Sequence, residues 1–226
     1  MGERIELTAA DGFTLGAWRA APAGPPRGGV VVVQEIFGVN AHIREVTDGY
    51  AEAGYLAIAP ALFDRVEADV ELGYDEAGMA RGIDIARGRL EIDAALKDIA
   101  AAVEAASVGG DVGVVGYCFG GLLAWLAACR VDGVACASSY YGGGVAGVAD
   151  LVPRCPVIFH FGALDAHIPA EQVEKVRAAQ PDCPVHVYDA DHGFNCDHRA
   201  SHDAAAAALA RERTLALFDA HLAGPR

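Results

Sequence analysis

Val112-Gly-Val-Val-Gly-Tyr-Cys-Phe-Gly-Gly-Leu-Leu-Ala-Trp-Leu-Ala-Ala128 falls into three parts. Val112 to Val115 is a β-branched run of strand type, Gly116 to Gly121 is a glycine-rich turn around Cys118, and Leu122 to Ala128 is an apolar run of helix type. A strand that reverses into a helix within a few residues leaves no space for side chains beside the bend, so glycines bracket the central residue. That residue is lifted above the end of the sheet, at a helix N-terminus whose free N–H groups and dipole favour a thiolate and later an oxyanion. Cys118 is therefore the candidate nucleophile, and the alternative is an ordinary buried cysteine in a tight turn.

Working outward, Val30 to Gln34, Leu56 to Ala59, Val134 to Ser138, Val157 to Phe161 and Val185 to Tyr188 are also short, nearly continuous apolar runs. Such runs mark strands buried on both faces, and helical segments alternate with them, which predicts a mostly parallel central sheet with helices on both faces. Asn40 to Ala53 reads as a helix with Asn40 as N-cap and Gly54 past its end, and Leu90 to Ala106 as another closed by Gly109 and Gly110. Asp203 to Leu222 reads as a terminal helix that packs Leu209, Leu215, Leu217 and Phe218 on the sheet. Asp11-Gly12 suggests an antiparallel hairpin at the sheet edge. Ala61 to Gly88 is the least regular stretch and is expected to cover a pocket at the C-terminal edge of the sheet. One domain, residues 1–226, accounts for the whole chain.

Two other strand ends carry polar groups. Gly162-Ala-Leu-Asp165 follows one strand, and Asp189-Ala-Asp-His-Gly-Phe194 follows the last strand before the terminal helix. Nucleophile, acid and histidine in that chain order are the arrangement of the α/β-hydrolase fold, with Asp165 orienting His192 and His192 serving as base. Asp189 and Asp191 compete with Asp165 but lie so close to His192 that they read as loop-shaping groups, and His167 is a weaker competitor as base. Glu35, in Gln34-Glu-Ile-Phe-Gly38 after the first buried strand, needs a partner if it is buried. It either takes part in the chemistry or pairs with an arginine to hold the loop. This loop is where such folds supply an oxyanion N–H, here from Ile36, with Phe119 giving the other.

Gln34-Glu-Ile-Phe-Gly-Val-Asn40, Gly116-Tyr-Cys-Phe-Gly-Gly121, Tyr140-Tyr-Gly142, Asp165 and His192-Gly-Phe194 together resemble the dienelactone hydrolase (carboxymethylenebutenolidase) family over nearly the whole chain. The resemblance implies a carboxylic ester hydrolase that opens a dienelactone-like lactone to maleylacetate, or another small ester or lactone, through a Cys118-His192-Asp165 triad and a thioester. It implies that Glu35 interacts with the resting thiol and helps generate the thiolate when substrate binds. Phe37, Tyr140 and Tyr141 fall in the shared motifs and are expected at the substrate. Family members hold the substrate carboxylate with two arginines; this chain has Asn195-Cys196 at the second expected position, with Arg199 beyond it, and Arg81 is the nearest candidate for the first. Both arginines are equally readable as surface cations.

With 226 residues, 53% hydrophobic composition and a net charge of -14, the chain can bury a large core and is a poor match for nucleic acid or anionic membranes. No secretory signal, myristoylation motif or membrane-length apolar run is read, so a soluble cytoplasmic enzyme, monomer or small homo-oligomer, acting on a small molecule is expected. The six cysteines read as reduced thiols, with Cys129, Cys136, Cys155 and Cys183 as inert core positions. No cofactor or metal is expected. The rival readings are a metal site among His192, Cys196, His198 and His202, with His198 and His202 spaced i, i+4; a ligand-binding module without turnover; and a thiol redox sensor built on Cys118.

Overall fold

The computed structural model describes residues 2–225. Eight strands form one sheet: β1 (Glu3–Thr8), β2 (Thr14–Ala20), β3 (Gly29–Val33), β4 (Leu56–Pro60), β5 (Val112–Tyr117), β6 (Val134–Tyr140), β7 (Val157–Gly162) and β8 (Val185–Tyr188). Their order across the sheet is β1-β2-β4-β3-β5-β6-β7-β8. The β1–β2 hairpin pairs antiparallel with itself and with β4, and every other neighbour is parallel. Val30 to Val33 are fully buried, as the unbroken valine run requires, and each such side chain contributes about 1.5–3 kcal/mol relative to exposure.

Among the described residues there are six α-helices, the first five lying between strands and the last following β8: α1 (Ala41–Glu52), α2 (Glu76–Ile83), α3 (Ile92–Ala106), α4 (Phe119–Arg130), α5 (Ala170–Ala179) and α6 (Ala204–His221). Asn40 caps α1 by accepting the Ile43 N–H, and Asp203 caps α6 by accepting the Ala206 N–H. Helices cover both faces. Ala106 of α3 abuts Gly29, Phe218 of α6 abuts Gly113, and Gly29 lies level with Val112, so the two contacts are on opposite faces. Phe218 also meets Tyr50 and Tyr55, which joins α6 to α1 on one side, while α3 packs with α4 on the other.

Two expectations need correction. The fully buried stripe of α6 is Ala206, Ala210, Thr214 and Phe218, small residues at four-residue spacing letting the helix lie close to the sheet; of the expected leucines, Leu215 and Leu217 are half-buried beside the core and Leu209 is exposed. The 61–88 stretch is mostly ordered structure: a 3-10 turn at Leu62–Arg65, then α2, which continues into a π-helix at Asp84–Arg89. Helix α5 was not read from sequence, because it buries only Val173 and Val176 behind Pro169. Among the described residues no helix is long and apolar enough to cross a membrane.

Candidate active site

β5 ends at Tyr117, and Cys118 turns the chain into α4 with φ +55° and ψ −115°, a backbone that L residues rarely adopt. Its N–H donates to the Tyr140 carbonyl of β6 at 3.0 Å and anchors the bend to the adjacent strand. The neighbouring glycines are required by contact. A Cβ on Gly116 would overlap the Gly120 carbonyl, and one on Gly120 would overlap the Val33 carbonyl and sit 2.6 Å from Gln34 O. The elbow therefore presses the first turn of α4 onto the end of β3 and leaves Cys118 half-buried above the sheet.

The ends of β7 and β8 bring the other two groups to the same edge. Ala163 N–H donates to Tyr188 O at 2.7 Å and Leu164 N–H to Ala190 O at 3.0 Å, so the Asp165 and His192 loops run side by side. Cys118 Sγ lies 3.1 Å from His192 Nε2, and His192 Nδ1 lies 2.7 Å from Asp165 Oδ2. The other carboxylate oxygen of Asp165 accepts the His167 and Ile168 N–H groups at 2.8 and 3.2 Å, which fixes the carboxylate. Asp191 is exposed and only accepts its neighbour's N–H, a loop-shaping contact, and the His167 ring stands edge-on to His192 at 5.4 Å.

Burial pulls His192 toward its neutral form, but its hydrogen bonds to Asp165 and Cys118 and the charges there prevail and raise its pKa to about 10. Burial pushes the Asp165 carboxyl up; the His192 hydrogen bond and charge and the two backbone donors prevail and hold it below its ordinary value. The pair thus favours an imidazolium beside a carboxylate.

The loop after β3 is tied down by Gln34, whose side-chain oxygen accepts the Leu62 N–H at 3.1 Å. Phe119 opens α4, so its N–H has no partner within the helix. Glu35 is fully buried: Oε2 accepts from Tyr74 Oη at 3.3 Å, Oε1 has no hydrogen-bond partner, and Arg199 Nη1 stands 3.8 Å from Oε1. Tyr74 also accepts from Asn40 Nδ2 at 3.2 Å and packs edge-on against Phe37. The Gly38–Glu71 bridge and the Leu72 N–H to Phe37 O bond lay the covering segment on this loop.

The remaining sequence candidates separate. Arg199 runs beside the histidine loop, since a Cβ on Gly193 would be 2.5 Å from its Nη1; it is 17% exposed and its guanidinium faces the Phe37 and Tyr74 rings. Arg81 is half-exposed on α2 and paired with Glu67. Tyr141 is buried with φ +35°, its ring 5.1 Å from His192 and its hydroxyl without a partner. Tyr140 is turned into the core, its hydroxyl 2.8 Å from Thr214 Oγ1, so what it brings to the elbow is its carbonyl. The rival metal cluster of His192, Cys196, His198 and His202 is not assembled: His198 meets Glu45, His202 meets the Phe194 carbonyl, and neither His198 nor His202 lies on a helix. Tyr74, His42 and Cys196 around Glu35 were missed as a group, because Tyr74 and Cys196 are joined to it only by the tertiary fold and nothing in the sequence marks nearby His42 as its neighbour.

A surface cleft of about 390 Å³ lined by Trp18, Arg44 and Asp64 contains none of the Cys118, His192 or Asp165 side chains.

Residues 15–222 match the model of the dienelactone hydrolase family. A carboxymethylenebutenolidase of Pseudomonas putida is 36% identical over 226 aligned residues, covering 94% of each chain. The solved structure of a Klebsiella pneumoniae protein described as a dienelactone hydrolase superposes with a TM-score of 0.83 at 30% identity, covering 96% of this chain and 98% of that one. A dienelactone hydrolase-like phosphotriesterase from metagenomic libraries shares the fold with a TM-score of 0.76 at 24% identity, covering 98% of this chain and 99% of its own. With its α/β-hydrolase fold and these relatives, the chain belongs to the dienelactone hydrolase family of carboxylic ester hydrolases.

Proposed function

We propose that this enzyme opens a small lactone or activated ester of the dienelactone type through a Cys118-His192-Asp165 triad. The observation that carries the reading is the continuous line from Cys118 Sγ through His192 to Asp165, with hydrogen-bond distances of 3.1 and 2.7 Å, at a strained elbow. The Cys118 thiolate attacks the acyl carbon, and the Ile36 and Phe119 N–H groups receive the oxyanion. The carbonyl re-forms as the C–O bond breaks, the His192 imidazolium protonates the leaving oxygen, and a Cys118 thioester remains. Water, deprotonated by His192, then attacks the thioester, the carboxylic acid leaves, and the thiolate is restored. Asp165 keeps His192 in the tautomer that presents Nε2 to sulfur. An enol is a good leaving group, which suits a thiolate that handles ordinary amides poorly.

Glu35 lies in the loop that supplies one oxyanion donor, and its carboxylate, freed when substrate displaces its contacts, assists His192 as an acceptor for the Cys118 thiol proton. Arg199, beside the His192 loop and near Glu35, is the better placed of the two arginines to receive a substrate carboxylate; Arg81 has first to leave Glu67. Phe37 and Tyr141 supply apolar walls. The test is burst kinetics with an aryl ester in the wild type and Cys118→Ala: a burst followed by turnover is expected, and both disappear in the variant. Turnover that persists in Cys118→Ala overturns the proposal.

A further inference from the structure

At Glu35 and its neighbour His42 the structure buries two polar atoms without a hydrogen bond. Glu35 Oε1 and His42 Nε2 both lack a hydrogen-bond partner, and their residues are 0% and 2% exposed. Cys196, also fully buried, completes a set: one donor atom from each of Glu35, His42 and Cys196 lies within 4.8 Å of the other two. Three points no farther apart than that share a centre within about 2.8 Å of each, so a contraction of well under about 1 Å reaches the roughly 2.0–2.3 Å bonds of zinc. Unpaired buried polar atoms are rare in folded proteins and call for an explanation, a bound water or ion among them.

We propose that Glu35, His42 and Cys196 form a buried binding site for one borderline-soft divalent ion, zinc fitting best. A carboxylate, an imidazole and a thiolate are the donors such an ion selects, and three protein ligands leave a fourth position for water. His42 is oriented as a ligand. Its Nδ1 faces Asp197 Oδ1 at 3.2 Å, the outer carboxylate that fixes the ring and directs Nε2 inward. Tyr74 occupies Oε2 of Glu35 and leaves Oε1 available. On binding, the Cys196 thiol gives its proton to solvent and forms the sulfur–metal bond; two anionic ligands then neutralise the dication, and no electron transfer is involved. Arg199, 3.8 Å from Oε1, is the resident competing cation, and its partial exposure lets it swing away. A second group around His42, made of Glu45, Asp197 and His198, is mostly exposed, and Glu45 and His198 already pair with each other at 2.7 Å. If Glu35 acts as proposed above, an ion held there restrains it and slows turnover; that consequence rests on the catalytic reading, while the site itself does not.

The test is titration of chelator-treated, full-length protein with Co2+ and then Zn2+. One Co2+ per chain with a near-ultraviolet thiolate charge-transfer band, displaced by Zn2+, is expected. Cys196→Ser should abolish the band, Cys118→Ser should keep it, and Asp197→Asn should weaken binding about 10- to 100-fold. His42→Gln gives an independent check if Cys196→Ser misfolds, with affinity at least about tenfold lower. The proposal is overturned by absence of stoichiometric binding, by a band that follows Cys118, by unchanged affinity in His42→Gln, or by band-free binding that His198→Ala removes. Zinc inhibition of ester hydrolysis is read separately: bound metal with undiminished turnover supports the site and removes Glu35 from the mechanism.

Discussion

Asp165→Asn isolates the part of the triad that acts through another residue. Asparagine keeps the shape and can still accept the His167 and Ile168 N–H groups, so the loop should hold. Its NH2 cannot accept from His192 Nδ1 at the 2.7 Å position, and the imidazole is driven to the tautomer whose Nε2–H points at Cys118. That ring cannot take the thiol proton. The rise of His192 from 6.5 to about 10 corresponds to roughly 5 kcal/mol in favour of imidazolium, opposed by burial and supplied by the hydrogen bonds and charges of Asp165 and Cys118. Losing the Asp165 share while forcing the wrong tautomer should lower kcat/KM for an aryl ester by about 10³–10⁴, the scale seen when a buried triad aspartate is so replaced. The alkaline limb of kcat/KM, expected near pH 10 as His192 loses its proton, should move down. Stability carries the same signature. A His192 held above its unfolded value stabilises the fold fully below about pH 6.5 and ceases to as pH rises through about 10, so wild-type Tm should fall over that window and the variant's fall should be smaller. Asp165, held below its ordinary 3.8, adds stability above that pH that is lost in acid. A variant within tenfold of wild type from pH 7 to 9, or a larger loss in Asp191→Asn, refutes the reasoning.

Gly120→Ala should cost about 1–3 kcal/mol or more and abolish turnover, because its Cβ overlaps the Val33 carbonyl; Gly143→Ala, with open space around it, is the control in thermal melts. Arg199→Ala should raise KM for carboxylate-bearing lactones about tenfold, roughly the strength of one charge-assisted hydrogen bond, and leave neutral aryl esters unchanged, whereas Arg81→Ala should do less. Equal effects of Arg199→Ala on both substrate types remove the clamp. Thr214→Val deletes the hydroxyl shared by Ser138, Tyr140 and His160 and should lower stability by about 2–3 kcal/mol in urea unfolding, with an unchanged midpoint contradicting the role given to that network.

The sheet was legible because valine-rich runs have one physical use, burial on both faces, and because Asn40 and Asp203 cap helices by local chemistry. The elbow was legible for the same reason: glycines that a Cβ would drive into neighbouring carbonyls leave a trace in the sequence itself. Helix α5 and the π-helix at Asp84–Arg89 were not, since few apolar residues mark their periods. The α6 stripe was legible in part: Phe218 is in the core and Leu215 and Leu217 flank it, but alanine and threonine fill the closest positions by being small, and Leu209 is exposed. Around Glu35 the sequence announced a stranded acid and left its surroundings silent: Tyr74 and Cys196 reach it from distant segments, and His42 from the following helix α1. Likewise Tyr140 and Tyr141 are adjacent, yet one hydroxyl enters the core network and the other has no partner, a difference no sequence pattern marks.

The central claim is a covalent acyl bond to one sulfur, and rapid-quench intact-mass analysis with an aryl ester, followed by peptide mapping, reads it directly. A transient adduct of acyl mass on the peptide containing Cys118, formed at the burst rate and lost at the turnover rate, is the expected result. Turnover with no such adduct, or an acyl group mapped to another residue, contradicts the account.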